Sequence, residues 1–137
     1  MKVLFDTNIL IDWLTRRTPF YHNSRAAMRL AMSGRVDAIA SASSIKDVHY
    51  VISRHYRDTG DALALIAELL EIVRLADTTA QDVLNALQSG NVDFEDAVVS
   101  ETAAREFADF IVTRNKSDFS GSPVPALLPS ELIEKFR

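Results

Sequence analysis

The sequence contains no cysteine. That absence excludes a disulfide framework, a thiolate zinc site and a cysteine nucleophile together, and it fits a reducing cytoplasm. Glycine and proline are scarce, four of each in 137 residues. No linker, low-complexity tract or internal repeat breaks the chain, so residues 1–137 read as one domain. Positive charge is also in short supply, with 15 Lys and Arg against 19 Asp and Glu. A net charge of −4 argues against a broad phosphate-binding surface. Any nucleic-acid contact must then rest on local basic patches or on metal ions. Long apolar runs are missing too: none approaches the ~20 residues of a membrane-spanning helix. The N-terminal apolar segment is short and broken by Asp6 and Asp12, unlike a signal peptide.

What is present is a globular composition, 47% hydrophobic and 25% charged. Val3-Leu4-Phe5 is a short apolar run that stops at the Asp6 carboxylate. Such a run, followed by a helical pattern, reads as a buried strand of a parallel sheet. A short helix follows from Ile9 to the arginines before Pro19, and a second runs from Pro19 to Gly34 with Phe20, Ala27, Leu30 and Ala31 inward. Val36–Ala40 is the second strand, and Ser41, Ser43 and Ser44 after it offer helix caps. Ile45, Val48, Ile52 and Tyr56 then mark a helix at 3.6-residue spacing, and Leu63, Ile66, Leu69 and Leu70 mark another from about Asp61. Ile72–Leu75 is a third strand candidate, and Thr79-Ala-Gln-Asp82 resembles a capping box opening the next helix. A helix from about Asp93 through Ala104 and Phe107 precedes the fourth strand, Phe110–Thr113. A possible edge strand ends at Leu128, and Pro129-Ser130 opens a terminal helix. Helices alternating with short apolar runs predict an α/β domain with a helix-flanked parallel sheet of four or five strands.

Several acidic or amide residues follow a strand or open the helix after one. They are Asp6, Asp47, Asp96 with its neighbours Asp93 and Glu95, and the pair Asn115 and Asp118. In a parallel sheet these segments meet at the carboxyl edge, where ligands bind. Clustered carboxylates repel one another unless a cation or raised pKa values relieve them. Hard oxygen donors without cysteine or a histidine set select Mg²⁺ or Mn²⁺ over zinc. Simpler readings exist for most of these residues. Ser44-x-x-Asp47 and Asp93-x-x-Asp96 each look like a cap with an acid in the first turn, and Asp118 looks like a turn residue. Asp6 has the weakest such alternative, standing directly after a buried strand.

Taken in order, Asp6-Thr7-Asn8, the acid of Ser41-Ala-Ser-Ser-Ile-Lys-Asp47, Asp93-Phe-Glu-Asp96-Ala97 and Ile-Val-Thr113-Arg-Asn-x-x-Asp118-Phe119 resemble the PIN domain, the nuclease domain of VapC-type toxins. No one motif is specific, but the ordered set covers essentially the whole chain. The resemblance implies a three-layer α/β/α fold and Mg²⁺- or Mn²⁺-dependent cleavage of RNA. It implies Asp6, Asp47 and Asp96 as metal-binding acids, Thr7 and Asn8 as supports for the first, and Thr113 as a lining hydroxyl. Two departures stand out. The second acid, often Glu in the family, is Asp47 here. The fourth, often Asp, is Asn115, which has a carbonyl oxygen but no charge and weakens the case for a second ion. Asp118 is then a substitute or a supporting residue. The family resemblance also implies a homodimer and a small antitoxin partner.

Arg114 and Lys116 flank the acidic edge and are candidate RNA-binding residues. The arginines of the first two helices, with Lys46, His49, Arg54, His55 and Arg57 of the third, form either a phosphate track or an ordinary solvated face. Trp13, Phe20 and Tyr21 stand between base stacking, core packing and a dimer contact. Two further functions compete. A receiver-type phosphoryl-transfer protein needs paired acids after the first strand and an Asp ending a central one, which this sequence lacks. A PIN-like binding or scaffold module without catalysis is kept open by Asn115.

Overall fold

The first strand, β1 (Lys2–Phe5), forms the middle of a five-stranded, wholly parallel sheet. The computed structural model describes residues 1–57, 59–91 and 93–137. β2 (Asp37–Ser41) pairs on one side of β1 and β4 (Phe110–Val112) on the other. The edges are β3 (Arg74–Ala76), beside β2, and the two-residue β5 (Ala126–Leu127), beside β4, giving the order β3-β2-β1-β4-β5. Successive strand residues point to opposite faces. The register therefore sorts the core into two halves. Val3, Phe5, Ala38, Ala40 and Val112 look to one side, and Leu4, Ile39 and Ile111 to the other.

On the first side lie α1 (Thr7–Thr15), α2 (Tyr21–Met32), α3 (Ala42–Tyr56), α4 (Thr59–Ile72) and α7 (Pro129–Glu134). On the second side α6 (Phe94–Arg105) packs on the sheet through Val99 and Ala103. Its Ala97 and Val98 face α5 (Ala80–Gln88). The result is three layers, as expected. Among the described residues no helix is long and apolar enough to cross a membrane.

Element bounds depart from the sequence reading where side chains compete with periodicity. α2 begins at Tyr21 and not at Pro19, and β3 starts two residues later than Ile72. α6 ends at Arg105, so Phe107 lies outside the helix, with φ 57° and 86% of its surface exposed. Ser44 is not a cap. α3 starts at Ala42 after Ser41, Ser44 is buried within the first turn, and Asp47 falls in the second turn. The cap reading of Asp47 is thereby removed.

Thr79 does close a capping box with Asp82: its hydroxyl accepts from the Asp82 amide at 3.1 Å, and the Thr79 amide donates back at 3.0 Å. Asp82 has a larger task as well. It is 2% exposed and accepts from the Thr102 hydroxyl at 3.1 Å and from the Arg105 guanidinium at 3.1 Å, pinning α5 to α6. Burial alone raises the Asp82 pKa, but Arg105, the Thr79 amide and Thr102 outweigh it and hold the carboxyl below the usual carboxylate range. A depressed folded-state pKa adds stability that is present above the unfolded value and lost as pH falls through the folded one. Asp82→Asn is expected to lose about 2 kcal/mol at pH 7, the scale of a charge-assisted buried hydrogen-bond set. In urea unfolding the gap to the unsubstituted protein should persist down to about pH 4 and narrow only below it.

Candidate active site

Asp6 sits where the chain's direction across the sheet reverses. From β1 the chain moves outward through β2 and β3, then crosses to β4 on the far side of β1. A crevice opens at such a reversal, at the carboxyl ends of the strands. Here it is a cavity of about 710 Å³ that gathers Asp6, Asp47, Asp93, Glu95, Asp96, Asn115 and Asp118, along with Thr7, Asn8 and Arg114. Every acid predicted for the site thus reaches one cavity, from β1, α3, α6 and the turn after β4.

Asp6 is held more firmly than the others. It is 8% exposed. Its Oδ1 accepts from the Thr7 amide at 2.8 Å, while Oδ2 accepts from the Thr113 hydroxyl at 2.8 Å and the Asn8 amide at 3.2 Å. The Thr113 hydroxyl in turn accepts from the Asn115 amide at 3.1 Å, which ties the end of β4 to the end of β1. A carboxylate oxygen can accept two such bonds. Oδ2 is therefore full, and Oδ1 keeps one acceptor direction free. Thr7, through its backbone amide, and the Asn8 and Thr113 side chains are thus the groups that hold Asp6 in place.

Asp96 comes from the first turn of α6, where the helix N-terminus favours negative charge. Asp93 is the N-cap, accepting from the Asp96 amide at 3.0 Å, so the Asp93-x-x-Asp96 cap is real. It does not exhaust Asp96, whose side chain also faces Asp6 and Asp118. Burial, and then the charges of Asp93, Asp6 and Asp118, push its pKa to about 7. Burial likewise raises Asp6, against the Thr113 and Thr7 hydrogen bonds, with Asp118 raising it further and Arg114 lowering it. Asp47, Asn115 and Asp118 are exposed at the rim.

The predicted cations separate. Arg114 lines the cavity, but its guanidinium is committed to the fully buried Asp12, with Nε 2.6 Å from Oδ2, and lies 4.0 Å from the centre of the Phe20 ring. Lys116 turns away, pairing with Glu131 of α7 at 3.0 Å, and does not line the cavity. Arg17, one of the arginines that offered a phosphate track, stands on the wall, and Ser43 and Thr78, which sequence reasoning gave no place in the site, line it too. Sequence reasoning also missed the Asp12–Arg114 pair. The one signal for that pair was a carboxylate inside an otherwise apolar helix, which needs a buried partner.

Six carboxylates, from Asp6, Asp47, Asp93, Glu95, Asp96 and Asp118, meet two arginines, Arg17 and Arg114, around this cavity. The donors are all oxygen. Among the described residues no three acidic or histidine side chains converge closely enough to cage an ion. A hard divalent cation does not require such a cage, since Mg²⁺ takes one or two carboxylates and keeps several waters. The free acceptor direction on Asp6 and the mutual repulsion that raises Asp96 both suit one.

The pattern of the PIN domain family matches residues 2–117. The chain belongs to the PIN domain family. Over 140 aligned residues it is 26% identical to Ribonuclease VapC1 of Aquifex aeolicus, covering 98% of this chain and 95% of that protein. Its fold is similar to VapBC-1 of nontypeable Haemophilus influenzae, with a TM-score of 0.72 at 16% identity over 95% of this chain and 99% of that one. It is also similar to VapBC2 of Rickettsia felis, solved with a DNA fragment from its promoter, with a TM-score of 0.70 at 18% identity over 93% and 98% of the two chains.

Without a cation, this PIN domain carries a repulsive cluster. For Asp96 the folded pKa, about 7, lies above the unfolded one, so the folded state binds the extra proton between them. The contribution of Asp96 to stability is therefore full at and below the unfolded value, about pH 4, and is lost as pH rises through about 7. Thermal melting in EDTA should follow that decline. Asp96→Asn should flatten it and raise the melting temperature at pH 8. An unchanged slope in Asp96→Asn would show that the cluster is not repulsive.

Proposed function

We propose that the protein is a Mg²⁺- or Mn²⁺-dependent endoribonuclease, the toxin of a toxin–antitoxin pair. The observation that carries the reading is the all-oxygen cavity at the chain reversal, with the buried, triply hydrogen-bonded Asp6 facing the charge-coupled Asp96. A PIN family pattern and likeness to a VapC ribonuclease support it. Asp6 and Asp96 would hold the ion, with Asp47 and Asn115 meeting a second one or the substrate across the rim. When bound, the ion supplies a water of lowered pKa and positive charge against phosphate oxygens.

The chain's own residues do the positioning. Thr7, Asn8 and Thr113 fix both oxygens of Asp6, so it meets its ligand without reorganising. Asp118 adds negative charge beside Asp6 and Asp96 and strengthens their demand for a cation. Asp96, whose pKa burial and its acidic neighbours push to about 7, would hold a proton less readily once a cation's charge stood beside it. Arg114 borders the wall with its charge already met by Asp12, so a contact with RNA there would be made by a fixed, paired guanidinium and not by a free cation. Lys116, paired with Glu131, is a weaker candidate for RNA contact.

A small antitoxin is the proposed protein partner. Similar folds occur in a toxin–antitoxin complex from Klebsiella pneumoniae, with a TM-score of 0.67 at 22% identity over 93% of this chain and 97% of that one. A cytoplasmic location, where such an RNA substrate would be met, and a homodimeric assembly complete the proposal. Sedimentation at micromolar concentration should give about twice the mass of the 15.2 kDa chain. A monomer there would remove that part of the reading.

With Mn²⁺ the purified protein should cleave single-stranded RNA, and EDTA should stop it. Asp6→Asn keeps the shape but removes the charge, and should lower the rate at least ~100-fold, the scale of several kcal/mol of lost metal-assisted stabilisation. Cleavage that survives both Asp6→Asn and chelation excludes the metal mechanism. Binding of RNA without any cleavage would favour the scaffold reading that Asn115 keeps open.

A further inference from the structure

α1 closes on a left-handed residue, Arg16 (φ 53°), and the next amide, that of Arg17, reaches back to the Asp12 carbonyl at 3.0 Å. The Arg17 carbonyl in turn accepts from the Tyr21 amide at 2.8 Å. Arg17 therefore stands on a backbone bonded on both sides, at the far end of α1 from Asp6. It lines the acidic cavity. Arg16, Arg25 and Arg29 do not, and neither do the basic residues of α3. The choice between a phosphate track and a solvated face thus narrows to one position.

Arg17 differs from Arg114, the other arginine on the wall, in being unclaimed. Arg114 is met by the buried Asp12, Nε to Oδ2 at 2.6 Å. Arg17 is exposed and, among the described residues, makes no ion pair, although six carboxylates line the same cavity. What it meets is Phe20, whose ring centre lies 5.9 Å from the guanidinium carbon, while the Arg114 guanidinium lies 4.0 Å from the same ring. Aromatic faces attract guanidinium groups. The result is one uncompensated positive charge on an acidic wall, with an aromatic ring to hold its place.

A guanidinium presents a planar fork of donors that matches phosphate oxygens two at a time. An RNA strand in this cavity brings its phosphate charges against a wall of carboxylates. At the Asp6 end the proposed ion would offset them; at the other end of α1 the wall offers Arg17. α1 runs about 14 Å over its nine residues. A phosphate at Arg17 is therefore a neighbour of the scissile one and not the scissile one itself.

We propose that Arg17 grips a non-scissile phosphate of the RNA strand, with its guanidinium held by the Phe20 ring, and so sets where the strand lies relative to the acids. The inference rests on the ribonuclease reading and adds which residue holds the substrate backbone.

The test uses one oligoribonucleotide, cleaved with Mn²⁺, and copies in which a single linkage beside the cut carries a neutral methylphosphonate. The unsubstituted protein should lose about tenfold in kcat/KM at one such linkage, the scale of one hydrogen bond to a charged group. Arg17→Gln should lose about as much on the unmodified RNA, through KM, because the phosphate it no longer holds does not react. At the sensitive linkage it should lose nothing further. Its plot of log kcat/KM against log salt should be shallower by about 0.7, the counterion release of one single-strand phosphate. Arg17→Lys keeps the charge and should keep both the linkage sensitivity and the salt slope. The ratio of modified to unmodified RNA is taken within each variant, so it does not depend on the folded fraction. The absence of a sensitive linkage, a further loss there in Arg17→Gln, or an unchanged salt slope each overturns the inference. If Arg17 meets an acidic segment of a partner protein instead, Arg17→Gln cleaves every RNA as the unsubstituted protein does, which overturns it as well. If the unsubstituted protein cleaves no RNA, the ribonuclease reading falls and this one falls with it; if it cleaves all the RNAs alike, only this one does.

Discussion

Everything at the functional edge depends on keeping one negative charge in place at the end of the central strand. Asp6 follows β1 directly, and its backbone amide still bonds to Val112 of β4 at 2.9 Å, so the ladder fixes its position before the side chain is considered. Burying a carboxylate is costly unless hydrogen bonds replace water. The Thr7 amide and the side chains of Asn8 and Thr113 supply them. Asn8 also bonds to Thr113 at 3.3 Å and accepts from the Arg114 amide at 3.3 Å. The set is thus a small network joining β1, α1 and the end of β4. It fixes the shape of the crevice and leaves Asp6 one free acceptor direction.

The opposite wall is held by a different device. α6 is buried on two sides, by the sheet and by α5, and its inward residues are small: Ala97, Val98, Val99, Ser100 and Ala103. Small residues let the helix approach closely but provide little area to fix its position along its axis. Asp82 compensates with a charge-assisted link to Arg105 and a bond to Thr102. That link lies near the far end of α6, while Asp93 caps the near end. The helix is therefore held at both ends, and Asp96 is presented toward Asp6 from a fixed frame.

The parts of the structure legible in the sequence were those carried by local patterns. Val3-Leu4-Phe5 stopping at Asp6 revealed the central strand and its edge, and Thr79-x-x-Asp82 revealed a capping box, because both signals lie within a few residues. What stayed hidden depends on partners distant in sequence. Arg114 reads as a free cation beside the site, yet it is bound to Asp12, 102 positions away. Lys116 reads the same way, yet it pairs with Glu131. Of the three serines that offer caps, Ser41 takes the N-cap position, but its hydroxyl is engaged by Ser43 and Thr78 and Ser44 is buried inside the first turn. Asp47 gained from that placement of Ser44: once its capping role was gone, its place on the cavity wall had no local explanation. Leu84 and Leu87 of α5 are exposed, since α5 turns Ala86 and Asp82 inward. A helix pattern gives a face but not which neighbour it meets.

The acids differ in how they tolerate one another, and that difference orders the site. Asp6 is stabilised by its own hydrogen bonds, so repulsion within the cluster falls mainly on Asp96, whose pKa reaches about 7 while its N-terminal helix position favours the charged form. The two acids are thus unequal: one is fixed and already solvated by protein, and the other is poised to change its protonation with its surroundings. Asp6 and Asp96 are the acids that would hold a divalent cation under the proposed function, and its charge would favour the deprotonated form of Asp96 and offset the repulsion. Its binding free energy would then appear partly as folding stability, because whatever binds the native state alone stabilises it by mass action. The repulsion gathered at the chain reversal therefore couples the fold's stability to whatever neutralises the cluster, a proton included.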